Sequence, residues 1–183
     1  MAGPTASAPP GATLPAVLPD VLAPGLRVLF CGSAAGTVSA QRGAYYAHPQ
    51  NRFWPMLAKT GLTPRLMRPE EFPKMPALGL GFTDVCKTAF GADSALPADG
   101  DDPEAVREKV REHRPAMLAF VGKRPATVVL EKRKLRTGLQ DERIGETRLF
   151  VLPSPSGLAV RYWDERPWFD LAALAGPPPA LPE

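Results

Sequence analysis

The sequence predicts an α/β protein whose parallel sheet is covered by helices on both faces. Three observations lead there. Four short apolar runs have strand character: residues 26–31 (LRVLFC), 79–85 (GLGFTDV), 116–121 (AMLAFV) and 148–152 (RLFVL). Runs that stay mostly apolar suit strands buried on both faces. Helical segments separate them, so crossovers and parallel pairing are the simplest connection. Finally, 183 residues with 44% hydrophobic content fill one domain with a sizeable core.

Each element has a local reason. The opening residues, MAGPTASAPPGATLPA, lack a cationic start followed by an apolar block, so they do not read as a secretory signal. Rich in Pro, Ala, Gly and Ser, residues 1–19 are expected to form a disordered tail, and residues 176–183 another. Residues 20–175 between them form a single domain. The first strand runs into a turn of small residues, Gly32-Ser33-Ala34-Ala35-Gly36. A helix is expected from Asn51 or Phe53 to Thr60. Asn51 suits its cap, Pro55 is tolerated only near the first turn, and Gly61 suits the stop. Phe53 and Trp54 then anchor the core. Beyond the second strand, Asp102 and Pro103 suit the N-cap and first position of the best-marked helix. Val106, Val110 and His113 fall on one face of it, and Pro115 stops it. His113 on that stripe reads as a packed or rim histidine. Further helices are expected over residues 127–134 and 167–174, and there is no internal repeat.

Composition narrows the function. No apolar run reaches the ~18 residues that cross a bilayer, so no membrane partner is expected. Two cysteines, Cys31 and Cys86, read as small buried thiols of an intracellular protein. With two histidines they are too scattered for zinc-type spacing, and four cysteine ligands for an iron–sulfur cluster are lacking. The protein is therefore expected to work without metal or cofactor. Net charge is +3, but residues 123–136 hold six cations against one anion. That run is either a solvated face or a phosphate-contacting patch.

Two segments carry chemistry. Residues 42–54 (RGAYYAHPQNRFW) pack two tyrosines, a histidine, an asparagine, two arginines and two further aromatics behind the first strand. Open α/β sheets place ligand sites at the carboxyl ends of their strands. Stacking faces, cations and amides together suit a nucleobase on a phosphate backbone; a loop whose aromatics merely pack beneath it is the plainer alternative. After the fourth strand comes Leu152-Pro-Ser-Pro-Ser-Gly-Leu158. Two prolines stiffen it, Gly157 permits an unusual turn, and Leu158 is an apolar tip. Such a tip suits a wedge that fills the gap left by an extruded nucleotide, although proline-rich loops also simply cap sheets.

Together these segments resemble the uracil-DNA glycosylase superfamily, specifically its mismatch-specific and thymine-DNA glycosylase branch. The resemblance lies in residues 23–54, from APGLRVLFCGSAAG to YAHPQNRFW, and in residues 151–158 (VLPSPSGL), with weaker matches at 62–64, 79–85 and 118–123. It implies a three-layer α/β/α fold on a four-stranded parallel sheet, a monomer, and hydrolysis of the N-glycosidic bond of uracil flipped from double- or single-stranded DNA. It puts the aromatic that stacks on the base at Tyr46; the backbone of Ser33 and Ala34 is expected to read the base, with Asn51 and Ser154 as further expected base contacts. It also puts a serine that helps hold the DNA backbone at Ser39 and the intercalating wedge at Leu158; Lys123, Arg124 and Arg161 are expected to contact phosphates, and His48, Ser156 and Gly157 are further expected DNA contacts. Both family motifs depart at functional positions. The asparagine that holds water in the first motif falls on Ala34, and the asparagine of the second falls on Ser154.

Alanine neither orients nor deprotonates water, so another group must. Asp84, near the end of the second strand, is the candidate catalyst: a carboxylate there aligns water and offsets positive charge developing on the sugar. An Asp84 that only caps the following turn is the alternative. Rival functions are a hypoxanthine-DNA glycosylase, because residues 45–54 also resemble that branch, and a lesion-binding module that does not cut. A small-molecule nucleotide binder fits poorly, since GSAAG is too short for a phosphate-cradling glycine fingerprint. An intracellular, nucleoid-associated site of action is expected.

Overall fold

The computed structural model describes residues 14–180. Its strands are β1 (Val28–Gly32), β2 (Leu80–Asp84), β3 (Met117–Val121), β4 (Gly138–Ile144) and β5 (Thr147–Leu152). The helices are α1 (Thr37–Arg42), α2 (Phe53–Lys59), α3 (Pro103–His113), α4 (Lys123–Leu130) and α5 (Arg166–Ala175), with 3₁₀ turns at Pro69–Leu78, Asp93–Ala95 and Val160–Tyr162. The sheet runs in the order β2-β1-β3-β5-β4. All its pairs are parallel except β4 with β5.

Side chains alternate across the strands and build two cores. Phe30, Phe82, Ala119 and Phe150 face Phe53, Trp54, Phe72 and Trp168. Leu29, Cys31, Leu118, Phe120 and Val151 face Val106 and Val110 of α3 and Ala126 and Val129 of α4. Helices thus cover both faces, the three-layer arrangement expected.

The sheet has five strands, not four. The fifth, β4, has the sequence GLQDERI, whose residues alternate between half-buried and exposed. It is an edge strand covered on one face only, so its polar composition concealed it. Helix α4 also begins four residues earlier than expected and ends at Leu130. Gly122, at φ +106°, turns the chain out of β3, and Glu131 closes the helix in the left-handed region. Helix α1 and the 3₁₀ segment Pro69–Leu78 were not anticipated.

Other local expectations hold. Asp102 accepts the Ala105 N–H at 2.9 Å and caps α3. Asn51 Oδ1 accepts the Phe53 N–H at 2.9 Å and opens α2. Most of the N-terminal tail falls outside the described residues, but its last part packs. Leu18 is buried, and the Val17 N–H donates to the Lys87 carbonyl at 2.7 Å. The Pro/Ala-rich average hid this pair of apolar residues. At the other end, Arg27 donates to the Gly176 carbonyl at 2.6 Å.

A candidate active site at the carboxyl ends of the strands

Parallel strands end on one side, which is how Gly32 and Asp84 become neighbours. Gly32 ends β1, Asp84 ends β2, and the two are register partners. A β-carbon on Gly32 would lie 2.6 Å from Asp84 Oδ1 and 3.0 Å from the Tyr46 hydroxyl. Only glycine admits that approach. Tyr46 itself sits at φ +51°, a left-handed conformation that costs on the order of 1 kcal/mol or more for a non-glycine residue. The surrounding loop holds it there. Ser39 Oγ accepts the Ala47 N–H at 3.0 Å, Arg42 donates to the Ala47 carbonyl at 2.9 Å, and Trp54 Nε1–H donates to the Tyr45 carbonyl at 2.9 Å. The Tyr46 ring stacks on Phe53 with centroids 4.0 Å apart and planes 22° apart. Its hydroxyl is buried and has no hydrogen-bond partner among the described residues.

The loop after β5 closes the other side. The Arg52 N–H donates to the Pro155 carbonyl at 2.9 Å, its guanidinium reaches the Ser156 carbonyl at 3.3 Å, and it also lies over the Trp163 ring. A β-carbon on Gly157 would come within 2.9 Å of Gln50 Cβ. The aromatic loop and the PSPSGL loop are therefore locked together. Ser154 Oγ accepts the Ser156 N–H and Ser156 Oγ accepts the Leu158 N–H, each at 3.3 Å. At the tip, the Leu158 side chain is 91% exposed.

A cavity of about 600 Å³ lies between these parts. Asp84, Ser33, Ala34, Tyr46, Asn51 and Ser154 all border it, as do Ser39, His48, Lys123, Arg124, Ser156, Gly157 and Leu158. Arg161 does not; it is exposed on the Val160–Tyr162 turn, with its guanidinium over the Tyr162 ring. Arg124 borders the cavity but pairs with Asp101 at 2.9 Å. Asn51 uses its carbonyl oxygen as a cap, and Ser39 uses its hydroxyl as a brace. Residues 131–136 do not border the cavity, and Lys132 pairs with Glu142.

Sequence reasoning missed Gln50, the clamp Arg52, and Lys87 with Asp20. The sequence marks Arg52 only as one of the loop's cations suited to a phosphate backbone, not as a clamp. Lys87 stands three residues after Asp84, a spacing that was there to be noticed.

A family model described as the uracil DNA glycosylase superfamily matches residues 19–175. The chain belongs to the uracil DNA glycosylase superfamily. Its fold is also that of a Methanosarcina acetivorans protein provisionally assigned as a uracil DNA glycosylase and solved by NMR in solution. The two align with a TM-score of 0.62 at 23% identity, over 87% of this chain and 97% of the other. Membership in the superfamily makes DNA a partner of the protein and DNA glycosylase chemistry its activity.

Asp84 is the buried carboxylate of the cavity. The residue is 3% exposed. Burial pushes its carboxyl up to about 6 from the ordinary 3.8, Lys87 opposes that rise, and Asp20 adds to it. Asp84 is thus largely ionised at neutral pH and still basic enough to take a proton. Burial raises the Tyr46 phenol well above its usual range, so it stays neutral there.

Proposed function

We propose that this protein is a monofunctional uracil-DNA glycosylase. It swings uracil out of DNA into the cavity and hydrolyses the N-glycosidic bond, leaving an abasic site. The observation that carries the reading is the juxtaposition over Gly32: a buried carboxylate, Asp84, beside an aromatic, Tyr46, in a cavity with an exposed apolar tip at its rim.

Leu158 enters the base stack and occupies the space vacated by the nucleotide, which offsets part of the few kcal/mol that unstacking costs. Lys123 and His48 meet the phosphates near the mouth. The base slides over Tyr46, with the backbone of Ser33 and Ala34 at its edge. As the bond from C1′ to the base nitrogen lengthens, its electron pair leaves with the base and positive charge grows on the sugar. Asp84 offsets that charge and accepts a proton from water, whose oxygen bonds to C1′. The base departs as an anion, held by backbone donors, and is protonated from solvent. This assignment gives Asp84 the water-handling task that Ala34 cannot perform.

A cavity of about 600 Å³ also accommodates a purine, so hypoxanthine is the competing substrate. Single-turnover assays on U·G, U·A, single-stranded uracil and hypoxanthine oligonucleotides at one salt concentration decide between them. Release of uracil is expected, and Asp84→Asn is expected to slow it by about 10²-fold or more while still binding the DNA. Wild-type rates in that variant remove Asp84 from the mechanism. Binding of uracil DNA without release of base, even at enzyme excess, replaces the enzyme by a lesion-binding module.

A further inference from the structure

Behind Asp84 lies a cluster of charges that the reaction above leaves unused. Lys87 Nζ stands 3.8 Å from Asp84 Oδ2 and 3.0 Å from Asp20 Oδ1, and it donates to the Tyr45 hydroxyl at 2.9 Å. Lys109 of α3 meets the other Asp20 oxygen at 2.7 Å and Thr83 Oγ1 at 3.2 Å. Thr83 Oγ1 in turn donates to Asp20 Oδ1 at 2.8 Å. Among the described residues, Lys87 is the only cation paired with Asp84. The N-terminal segment grips Lys87 as well: the Val17 N–H bonds its carbonyl, and the Tyr45 hydroxyl is tied to the Pro19 carbonyl at 3.0 Å. A second cavity, of about 290 Å³, borders Asp84, Lys87 and Lys109 on this side. Four mostly buried charges contribute little to stability compared with apolar packing of the same volume, so a functional reason for them is called for.

We propose that Lys87 is a positioning residue for Asp84, holding Oδ2 in place and keeping the carboxylate anionic while DNA covers the cleft. The inference rests on the proposed function and deepens it. A polyanion arriving at the main cavity adds negative potential to a carboxylate whose ionised form burial already disfavours. Uncompensated, Asp84 takes up a proton and can no longer accept one from water. Lys87 compensates from the side where the second cavity lies. Asp20 tempers that effect by drawing on the same ammonium, and Lys109 partly neutralises Asp20. The remaining ionisable groups around the carboxylate act less directly. Tyr45, Tyr46 and Cys31 are kept neutral by burial. Asp99, Asp101 and Asp102 border the second cavity, while His48, Asp93, Lys123 and Arg124 border the first.

The test is the pH profile of the single-turnover rate on a uracil-containing duplex, with enzyme in excess, from pH 4.5 to 9. In Lys87→Met the acid limb is expected to move up by about one unit, which makes the rate about fivefold lower at pH 6 and about tenfold lower at pH 5, with recovery toward the wild-type plateau at high pH. Lys87→Arg returns the limb to its wild-type place. Asp20→Asn moves the limb the opposite way, to lower pH, because Lys87 then faces Asp84 alone. A merely structural lysine lowers the rate by the same factor at every pH, and that result overturns the proposal. If circular dichroism shows Lys87→Met unfolded, Asp20→Asn decides: a limb that stays in place or moves up overturns the proposal. The Asp84→Asn variant run alongside separates the two readings. Full activity there removes Asp84 itself, whereas an inactive Asp84→Asn with an immobile limb in Lys87→Met removes Lys87 alone.

Discussion

Two side chains meet over a residue that has none. The space above Gly32 is already occupied by Asp84 Oδ1 and the Tyr46 hydroxyl, so a single methyl there displaces one of them. Gly32→Ala is therefore expected to reduce the single-turnover rate by about tenfold or more, the size of effect that follows from losing alignment at a reacting centre. Its φ is not in the left-handed region, so the fold tolerates alanine and the melting temperature should fall only modestly. A Gly32→Ala protein with normal activity means that the two groups do not work at close quarters. The Tyr46 hydroxyl tells a related story. Buried without a partner among the described residues, it costs stability in the folded protein.

Single elements show how the cleft is held open. The loop after β5 has no regular structure, and its shape depends on Arg52 at the start of α2. That residue joins two stretches about a hundred positions apart in the chain through the Pro155 and Ser156 carbonyls. Arg52→Ala keeps the backbone bond to Pro155 and removes the guanidinium from Ser156 and Trp163. The Leu158 tip then loses its rigid support. We expect KM for a U·G duplex to rise about tenfold, near the low end of the ~1.5–3 kcal/mol of a hydrogen bond to a charged group. The rate on single-stranded uracil, which has no stack to open, should change much less. Equal losses on both substrates argue against a wedge. The helices contribute less directly: α3 carries Lys109 toward Asp20, and α4 begins at the cavity with Lys123.

For the molecule as a whole, the role proposed for the buried carboxylate sets function against stability. Asp84 has a folded value of about 6 against 3.8 for a free carboxyl. Between those values the folded chain holds a proton that the unfolded chain has released. Stability is therefore fully present below 3.8 and lost as pH rises through 6, by up to about 3 kcal/mol at roughly 1.4 kcal/mol per unit. Asp84→Asn never ionises and escapes this loss, while Lys87 keeps Asp20 as its partner. The Asp84→Asn variant should be the more stable protein at pH 7 by up to that amount, with the difference vanishing near pH 4. Urea unfolding of both proteins at the two pH values checks it. A gap that is the same at both rules out a proton on Asp84 as the cause.

Local chemistry wrote much of this into the chain. Four apolar runs announced the inner strands, Asp102-Pro103 and Asn51 announced the helix starts, and the aromatic loop and PSPSGL announced the two walls of the cleft. These are short-range patterns, readable because propensity, capping and burial act over a few residues. The polar edge strand Gly138–Ile144 escaped because one-sided burial leaves a weak pattern. Contacts between distant segments were not legible either: Arg52 against Pro155, Gly32 beneath Asp84 and Tyr46, Lys87 between Asp20 and Asp84. Those depend on strand order and register, set by how the whole core packs, and nothing within a window of ten residues encodes which side chain meets which.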